Sequence, residues 1–308
     1  MPAPAVFVED LHVAYGRAWA LNGVDLEAEA GTTLGVLGHN GAGKTTLIRV
    51  LATLVRATSG RVLVGGFDVV SDPASVRRRI GVTGQYAGLD EFLTARENLE
   101  LFGRLAGLRN GAHRRASELI ERLGLRDVAS RRIGELSGGS RRRVDLAASL
   151  VGSPSVLFLD EPTTGLDPMS RAALWDVVDE LTGAGTTVVL TTQYLEEADR
   201  LADHVVVLDH GRVAAHGTPT ELKRIVGGKV VSLTIPRHHV DALSFRPDTE
   251  QPVDGDRVRV VLTVDDATAA AGLVARLTTN DVEVIELDVA SPSLDDVVAH
   301  LAHIGAHA

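Results

Sequence analysis

Gly38-His39-Asn40-Gly41-Ala42-Gly43-Lys44-Thr45 fits the pattern GxxxxGK[ST] in full, and its flanks decide how it is read. Thr33 to Leu37 before it is a short buried-strand candidate, and Leu47 to Leu54 after it has helical spacing. The order is strand, loop, helix. Glycines let the backbone curl until consecutive N–H groups face one centre, and the following helix N-terminus adds its positive end. Such a loop cradles phosphates, with Lys44 neutralising the β and γ oxygens and Thr45 offering a hydroxyl to Mg²⁺. Lysine is scarce here, only Lys44, Lys223 and Lys229 among 31 cationic residues, so a chance match is on the order of one in a hundred or less.

A phosphate loop that hydrolyses its nucleotide needs a second site for the metal and the water. Val156-Leu157-Phe158-Leu159-Asp160-Glu161 has the form of a buried strand ending in two carboxylates. Asp160 is assigned to the Mg²⁺ shell, and Glu161, one position on, to orienting or deprotonating the attacking water. Taken alone, the same run reads equally well as a strand ending at a helix-capping acid.

Composition narrows the remaining classes. At roughly 150 residues per domain, 308 residues suggest about two domains. A net charge of −10 disfavours a general polyanion binder, so nucleic acid is not expected as a partner. The 44% hydrophobic and 23% charged content is that of an ordinary globular protein. Zero cysteines remove disulfides, thiolate metal sites, iron–sulfur clusters and cysteine nucleophiles. No run approaches the 18 apolar residues of a membrane span, and the start MPAPAVFVED meets Glu9 and Asp10 before a signal-like apolar core can build, so a cytoplasmic protein is expected.

Between Val6 and about Leu222 short β-branched runs alternate with helical patterns, the reading of a parallel or mixed sheet covered by helices. Leu93 to about Leu150 lacks strand-like runs and reads as an inserted helical subdomain, after which strand signals resume at Val156 to Leu159, Thr187 to Leu190 and Val205 to Leu208. After Gly227-Gly228 the pattern changes. Val231, Leu233 and Ile235 alternate with polar residues, Arg257 to Val264 and Val282 to Val289 read as strands, and Asp265 to Thr278 as a helix. Ser293 caps a last helix, roughly Leu294 to Ala302. The division expected is a nucleotide-binding domain over residues 1–225, with its helical subdomain at about 90–150, and a small α+β accessory domain over 229–308.

Leu136-Ser137-Gly138-Gly139-Ser140, about twenty residues before Asp160 and Glu161, resembles the LSGGQ signature of the ATP-binding subunits of ABC transporters. Gln85 resembles that family's Q-loop glutamine, Gly165-Leu166-Asp167 its D-loop, Tyr15 its adenine-stacking aromatic, and Gln193 in Thr191-Thr192-Gln193-Tyr194-Leu195 its switch residue. The run Arg141-Arg142-Arg143-Val144-Asp145-Leu146-Ala147-Ala148-Ser149, the Gln193 switch and a tail carrying Ser-Pro-Ser-Leu-Asp-Asp resemble the daunorubicin-resistance type, the ATPase halves of bacterial drug exporters. The fold implied is α/β, a P-loop ABC ATPase core with an inserted helical subdomain and the small C-terminal α+β domain.

The resemblance implies ATP and Mg²⁺ as cofactors and a full set of site residues. Lys44, Glu161 and Gln193 are the catalytic candidates. Tyr15, Gly38, His39, Asn40, Gly41, Ala42, Gly43, Lys44, Thr45, Thr46, Gln85, Ser137, Gly138, Gly139 and Asp167 bind nucleotide, and Thr45, Gln85 and Asp160 hold the metal. It also implies a head-to-tail homodimer in which the loop of one copy and Ser137, Gly138 and Gly139 of the other sandwich each ATP. The power stroke then goes to separate integral membrane permease subunits that hold the protein peripherally on the cytoplasmic membrane face, for export of a hydrophobic small molecule such as an antibiotic.

Two departures stand out. Ser140 replaces the usual glutamine, with little loss expected because the phosphate-facing groups precede it. Gln193 replaces the usual histidine; it still donates a hydrogen bond but carries no proton, a deficit of about 1 kcal/mol or several-fold in rate. Two other functions remain open at this point: a soluble ABC ATPase working on ribosomes or DNA, and a regulatory module that binds nucleotide without turnover. The arginine clusters Arg77 to Arg79, Arg114-Arg115, Arg131-Arg132 and Arg141 to Arg143 read as a solvated face or a protein dock, Trp19 as core, and His300, His303 and His307 as a frayed terminal helix.

Overall fold

Continuous apolar strands need cover on both faces, and that requirement organises this chain. The computed structural model describes residues 3–84, 88–226, 228–243, 245–280 and 282–298. Gln85, His300, His303 and His307 lie outside the described residues. The chain divides into two compact units, Met1–Thr218 and Pro219–Ala308.

The first unit runs β1 (Val6–Tyr15), β2 (Ala18–Ala28), β3 (Thr33–Leu37), α1 (Lys44–Leu51), β4 (Ser59–Val64), β5 (Phe67–Asp68), α2 (Pro73–Arg77), β6 (Ile80–Thr83), α3 (Ala95–Leu105), α4 (Ala112–Arg122), α5 (Gly138–Ser149), β7 (Val156–Asp160), α6 (Pro168–Gly183), β8 (Thr187–Thr192), α7 (Leu195–Leu201), β9 (His204–Asp209) and β10 (Arg212–Gly217). Its main sheet has the order β10-β9-β3-β8-β7-β6, parallel except at β10, and a second, antiparallel sheet has the order β2-β1-β4-β5. Side chains alternate across the main sheet: Val156 and Phe158 of β7 pack with the antiparallel sheet and α1, whereas Leu157 and Leu159 pack with the helical side. That two-sided burial is why β7 reads as an unbroken apolar run.

Residues 95–149 hold α3, α4 and α5 and no strand, as the sequence implies for a helical insert. Thr94 opens α3 with a capping box, its hydroxyl accepting from the Glu97 N–H while the Glu97 carboxylate accepts from the Thr94 N–H. Helix α1 starts three residues before the periodic stretch and stops at Leu51, because Thr53 turns left-handed (φ 62°) and Leu54 is exposed. Trp19 is not core: on edge strand β2 it is 53% exposed and stands edge-on to His12.

The second unit comprises α8 (Pro219–Val226), β11 (Lys229–Pro236), β12 (Thr249–Asp254), β13 (Arg257–Val264), α9 (Ala267–Thr279) and β14 (Glu286–Ala290). Its antiparallel sheet, in the order β12-β13-β11-β14, buries Val231, Leu233, Ile235, Val258, Val260 and Leu262 against Leu273 and Leu277 of α9. Strand β14 is shorter than its apolar pattern, since only residues 286–290 pair with β11. Residues 294–298 are helical behind a Ser293 cap whose hydroxyl donates to the Asp296 carboxylate.

Candidate functional site

The site gathers where the parallel strands end. Leu37 of β3 lies beside Thr192 of β8, and Asp160 of β7 beside Thr191, so three strand ends deliver their next residues to one edge. Off β3 comes the glycine loop. Gly38 (φ 157°) and Gly43 (φ 111°) take backbone conformations that favour glycine, and a Cβ on Gly38 would lie 2.4 Å from the Leu208 carbonyl oxygen. Lys44 is 4% exposed and points back into the curl, its Nζ donating to the Gly38 carbonyl at 2.7 Å and the His39 carbonyl at 3.2 Å.

Two oxygens suited to a hard cation meet beneath the loop, Thr45 Oγ1 donating to Asp160 Oδ1 at 3.3 Å. Adjacent ligands of an octahedral Mg²⁺ with bonds near 2.0 to 2.1 Å lie about 3 Å apart, so a hydroxyl and a carboxylate at this separation fit that ion. Glu161 sits on the other flank of the lysine, its Oε1 3.4 Å from Lys44 Nζ, and its backbone is left-handed with φ 48°. A non-glycine residue in that region costs on the order of 1 kcal/mol and persists only where its surroundings hold it.

Thr191 holds it. The Glu161 N–H donates to the Thr191 carbonyl at 3.0 Å and to its Oγ1 at 3.1 Å, while the Thr191 hydroxyl donates to Asp160 Oδ1 at 2.6 Å. One buried threonine on β8 thus sets both carboxylate-bearing residues of β7. The sequence reading missed Thr191; its signal was a polar pair, Thr191-Thr192, closing an apolar strand. Gln193 follows immediately, exposed, one residue beyond β8. Glu197 behind it on α7 is fully buried, accepting from the Thr163 hydroxyl at 3.1 Å and from the Trp175 indole at 3.2 Å, and burial raises its pKa.

The remaining candidates are placed as follows. Tyr15 ends β1 and is 51% exposed. Ser137 caps α5 by accepting from the Ser140 N–H at 3.3 Å, with Ser137 and Gly138 exposed. Asp167 caps α6, accepting the Ser170 hydroxyl at 2.6 Å and its N–H at 3.0 Å, and those bonds lower its pKa. Gly139 lies against Ser170, where a Cβ would come within 2.7 Å of the hydroxyl, so the start of α5 and the start of α6 touch within one chain.

Arg142 overturns the reading of the Arg141 to Arg143 cluster as a solvated face. Its guanidinium donates to four backbone carbonyls, Gly84 at 2.6 Å, Pro162 at 2.9 Å, Asp160 at 3.0 Å and Glu161 at 3.1 Å, with its side chain only 16% exposed. Arg115 likewise turns inward to the Leu150 carbonyl at 2.8 Å. The planar fork of arginine suits several acceptors at once, and the helix period that puts Arg142 on the inner side of α5 is masked when three arginines run together.

Asp145, one turn along α5, faces Arg142 at 3.7 Å with its Oδ2 buried and without a hydrogen bond. Burial pushes its carboxyl up to about 6, against the pull of Arg142 and Arg141. The folded protein therefore keeps this proton up to about pH 6, whereas the unfolded chain releases it near 3.8, so stability from this group falls as pH rises through that window. The difference amounts to roughly 3 kcal/mol at most. Asp145→Asn, which cannot ionise, is expected to gain stability relative to the wild type on going from about pH 5 to about pH 7.5 in urea unfolding. Parallel wild-type and variant curves over that range would refute the assignment.

Comparison with known proteins agrees with this geometry. Residues 21–164 match the family described as ABC transporter. The chain is 50% identical over 307 residues to the daunorubicin resistance ATP-binding protein DrrA3 of Streptomyces coeruleorubidus, covering 98% of this chain and 96% of that one. It is 48% identical to the daunorubicin/doxorubicin resistance ATP-binding protein DrrA of Streptomyces peucetius, covering 96% and 92%. Among solved structures it is similar to a dimeric ATP-binding cassette in a post-hydrolysis state bound to ADP and Pi, with a TM-score of 0.63 and 26% identity, covering 69% of this chain and 98% of that one. The chain is an ATPase that belongs to the ATP-binding proteins of ABC transporters, and within them to the daunorubicin-resistance type.

Proposed function

We propose that this protein couples ATP-driven closure of a homodimer to export of a hydrophobic small molecule of the antibiotic class through separate membrane subunits. The observation that carries the reading is the convergence of Lys44, Thr45, Asp160 and Glu161 at the ends of β3 and β7. In the proposed cycle the loop N–H groups and Lys44 bind the β and γ phosphates, and Tyr15 lies against the adenine. Thr45 and Asp160 hold Mg²⁺, with Gln85 as a further ligand. The ion supplies neutralisation of the charge that builds on the phosphate oxygens. Glu161 orients the water and takes its proton, while Gln193 donates to the γ-phosphate.

The start of α5, with Ser137 and Gly138 exposed and Gly139 beside them, supports a partner-facing role, because a hydroxyl and backbone N–H groups at a helix start suit the γ-phosphate of a second copy. Asp167, next to the exposed Met169, supports the same face. Among the described residues no helix is long and apolar enough to cross a membrane. The likeness to drug-resistance ATP-binding proteins supports separate membrane subunits and a peripheral place on the cytoplasmic face. The proposed domain division remains 1–225 for nucleotide and 229–308 for an accessory unit. The resistance relatives span both parts, which supports tying the accessory unit to that branch.

The test is light scattering of the Glu161→Gln protein with and without Mg-ATP, beside wild-type turnover with and without a co-expressed membrane partner. A dimer that forms only with ATP, and turnover that rises with the partner, is the expected result. A protein that binds ATP yet stays monomeric, with no turnover in either setting, would leave it a regulatory module.

A further inference from the structure

On the outer shoulder of the glycine loop three side-chain donor atoms converge that the proposed cycle, which draws on the loop's backbone N–H groups, does not employ. His39 Nε2 lies 3.1 Å from Asp209 Oδ1, His210 Nε2 lies 3.8 Å from the same oxygen, and all three donor atoms are within 4.8 Å of one another. The other nitrogen of His39, Nδ1, faces the Asn40 carbonyl at 2.8 Å. That ring therefore meets an acceptor at each nitrogen. A neutral imidazole donates from one nitrogen only, so a second cation, a proton or a metal ion, is needed at Nε2 to satisfy both. A proton serves one pair. A second imidazole, His210, packs against the His39 ring with centroids 5.1 Å apart and turns its Nε2 toward the same carboxylate oxygen, the convergence that a centre taking several ligands requires.

The scaffold holds the two halves of the cluster together. Asp209 ends β9, and His210 (φ 45°) with Gly211 (φ 75°) makes the tight turn into β10, both residues left-handed as such hairpin turns require. Gly211 is tied by its N–H to the Ala42 carbonyl of the loop at 3.0 Å and by its carbonyl to the Asn22 N–H at 2.8 Å. His39 donating from Nδ1 to a backbone carbonyl is the arrangement that orients a metal-binding imidazole and leaves Nε2 free to ligate. A tetrahedral zinc with bonds near 2.0 to 2.2 Å places its ligands about 3.4 Å apart. The His39 and Asp209 atoms are already at that spacing, and His210, 84% exposed, needs only a side-chain rotation to reach it.

We propose that His39, Asp209 and His210 bind a divalent transition metal of the zinc class, which pins the shoulder of the phosphate loop to the β9–β10 turn. Two imidazoles and one carboxylate favour zinc, nickel or copper over Mg²⁺, which separates this centre from the oxygen pair at Thr45 and Asp160. Three protein ligands leave a fourth position for water. Because the His39 carbonyl also accepts from Lys44, the metal holds the loop in the curl seen here.

The experiment is calorimetric titration of the full-length, nucleotide-free, chelator-treated protein with Zn²⁺, comparing the wild type with His210→Asn and Asp209→Asn. Asparagine tolerates the left-handed backbone at 210, and a metal-free melting temperature equal to that of the wild type shows that His210→Asn is folded. One wild-type equivalent is expected, weakened at least tenfold in both variants. Hydrogen exchange supplies an independent reading, with Zn²⁺ slowing exchange across residues 38–43 in the wild type and not in His210→Asn. Zinc uptake undiminished in both variants places the binding on other histidines and overturns the proposal, as does absence of the one-equivalent phase in the wild type.

Discussion

Glu161→Gln is expected to cut ATP turnover by about 10² to 10⁴-fold, the usual contribution of a general base, while Mg-ATP binding persists. The substitution keeps shape and hydrogen-bonding reach and removes only the charge and the capacity to take a proton. Binding survives because its determinants lie elsewhere: Lys44 is held by the Gly38 and His39 carbonyls, and Thr45 and Asp160 by each other. The carboxylate also lies 3.4 Å from Lys44 Nζ, so its loss frees the lysine for phosphate and leaves affinity equal or better. Phosphate release under saturating ATP and fluorescence-detected nucleotide binding separate the two effects. Turnover within about threefold of wild type would remove Glu161 from the proton-taking role.

Arg142→Ala is expected to be the most destabilising single truncation at this edge of the sheet. It strips donors from four carbonyls that belong to two segments: Gly84, which leads to Gln85, and the run Asp160, Glu161 and Pro162. It also takes from Asp145 the guanidinium that lies 3.7 Å from its carboxylate, and removing one partner of a buried ion pair costs about 3 to 5 kcal/mol. For a domain of this size that is roughly 10 °C in melting temperature. Because Glu161 keeps its left-handed backbone only while its surroundings enforce it, turnover per folded molecule falls as well, with kcat affected more than KM. Arg142→Lys recovers little, since an ammonium cannot reach acceptors spread over a planar fork. A melting temperature within about 2 °C of wild type for Arg142→Ala would mean that those carbonyls find other donors.

Much of this was legible in the sequence where one physical requirement acts alone. Thr33–Leu37 and Arg257–Val264 form strands as read, because two-sided burial and strict alternation each leave a clean pattern. The meeting of Lys44 and Thr45 with Glu161 and Asp160 at one sheet edge was legible for a different reason: their residue types were read from the phosphate and metal chemistry expected of them, not from a burial pattern. What escaped depended on third parties. Strand β12 carries Pro252 and is exposed along its length, since it lies at a sheet edge and its partner β13 supplies the pattern. Thr191, Glu197 and Arg142 are polar side chains whose meaning lies in the carbonyls and carboxylates that they meet across 18 to 58 residues of chain, and no local window contains those partners.

The placing of β3 between β8 and β9 also has a temporal consequence. Its neighbours, Thr187–Thr192 and His204–Asp209, are translated about 150 residues after Leu37 leaves the ribosome's active centre. At about 5 to 20 residues per second the strand that carries the phosphate loop waits roughly 8 to 30 seconds without a pairing partner. Meanwhile β1, β2 and β4 are complete and adjacent in sequence, so their antiparallel sheet can shelter the apolar face of β3 during synthesis. Nascent chains stalled between residues 64 and 187 are therefore expected to hold a protease-resistant antiparallel sheet and no nucleotide affinity.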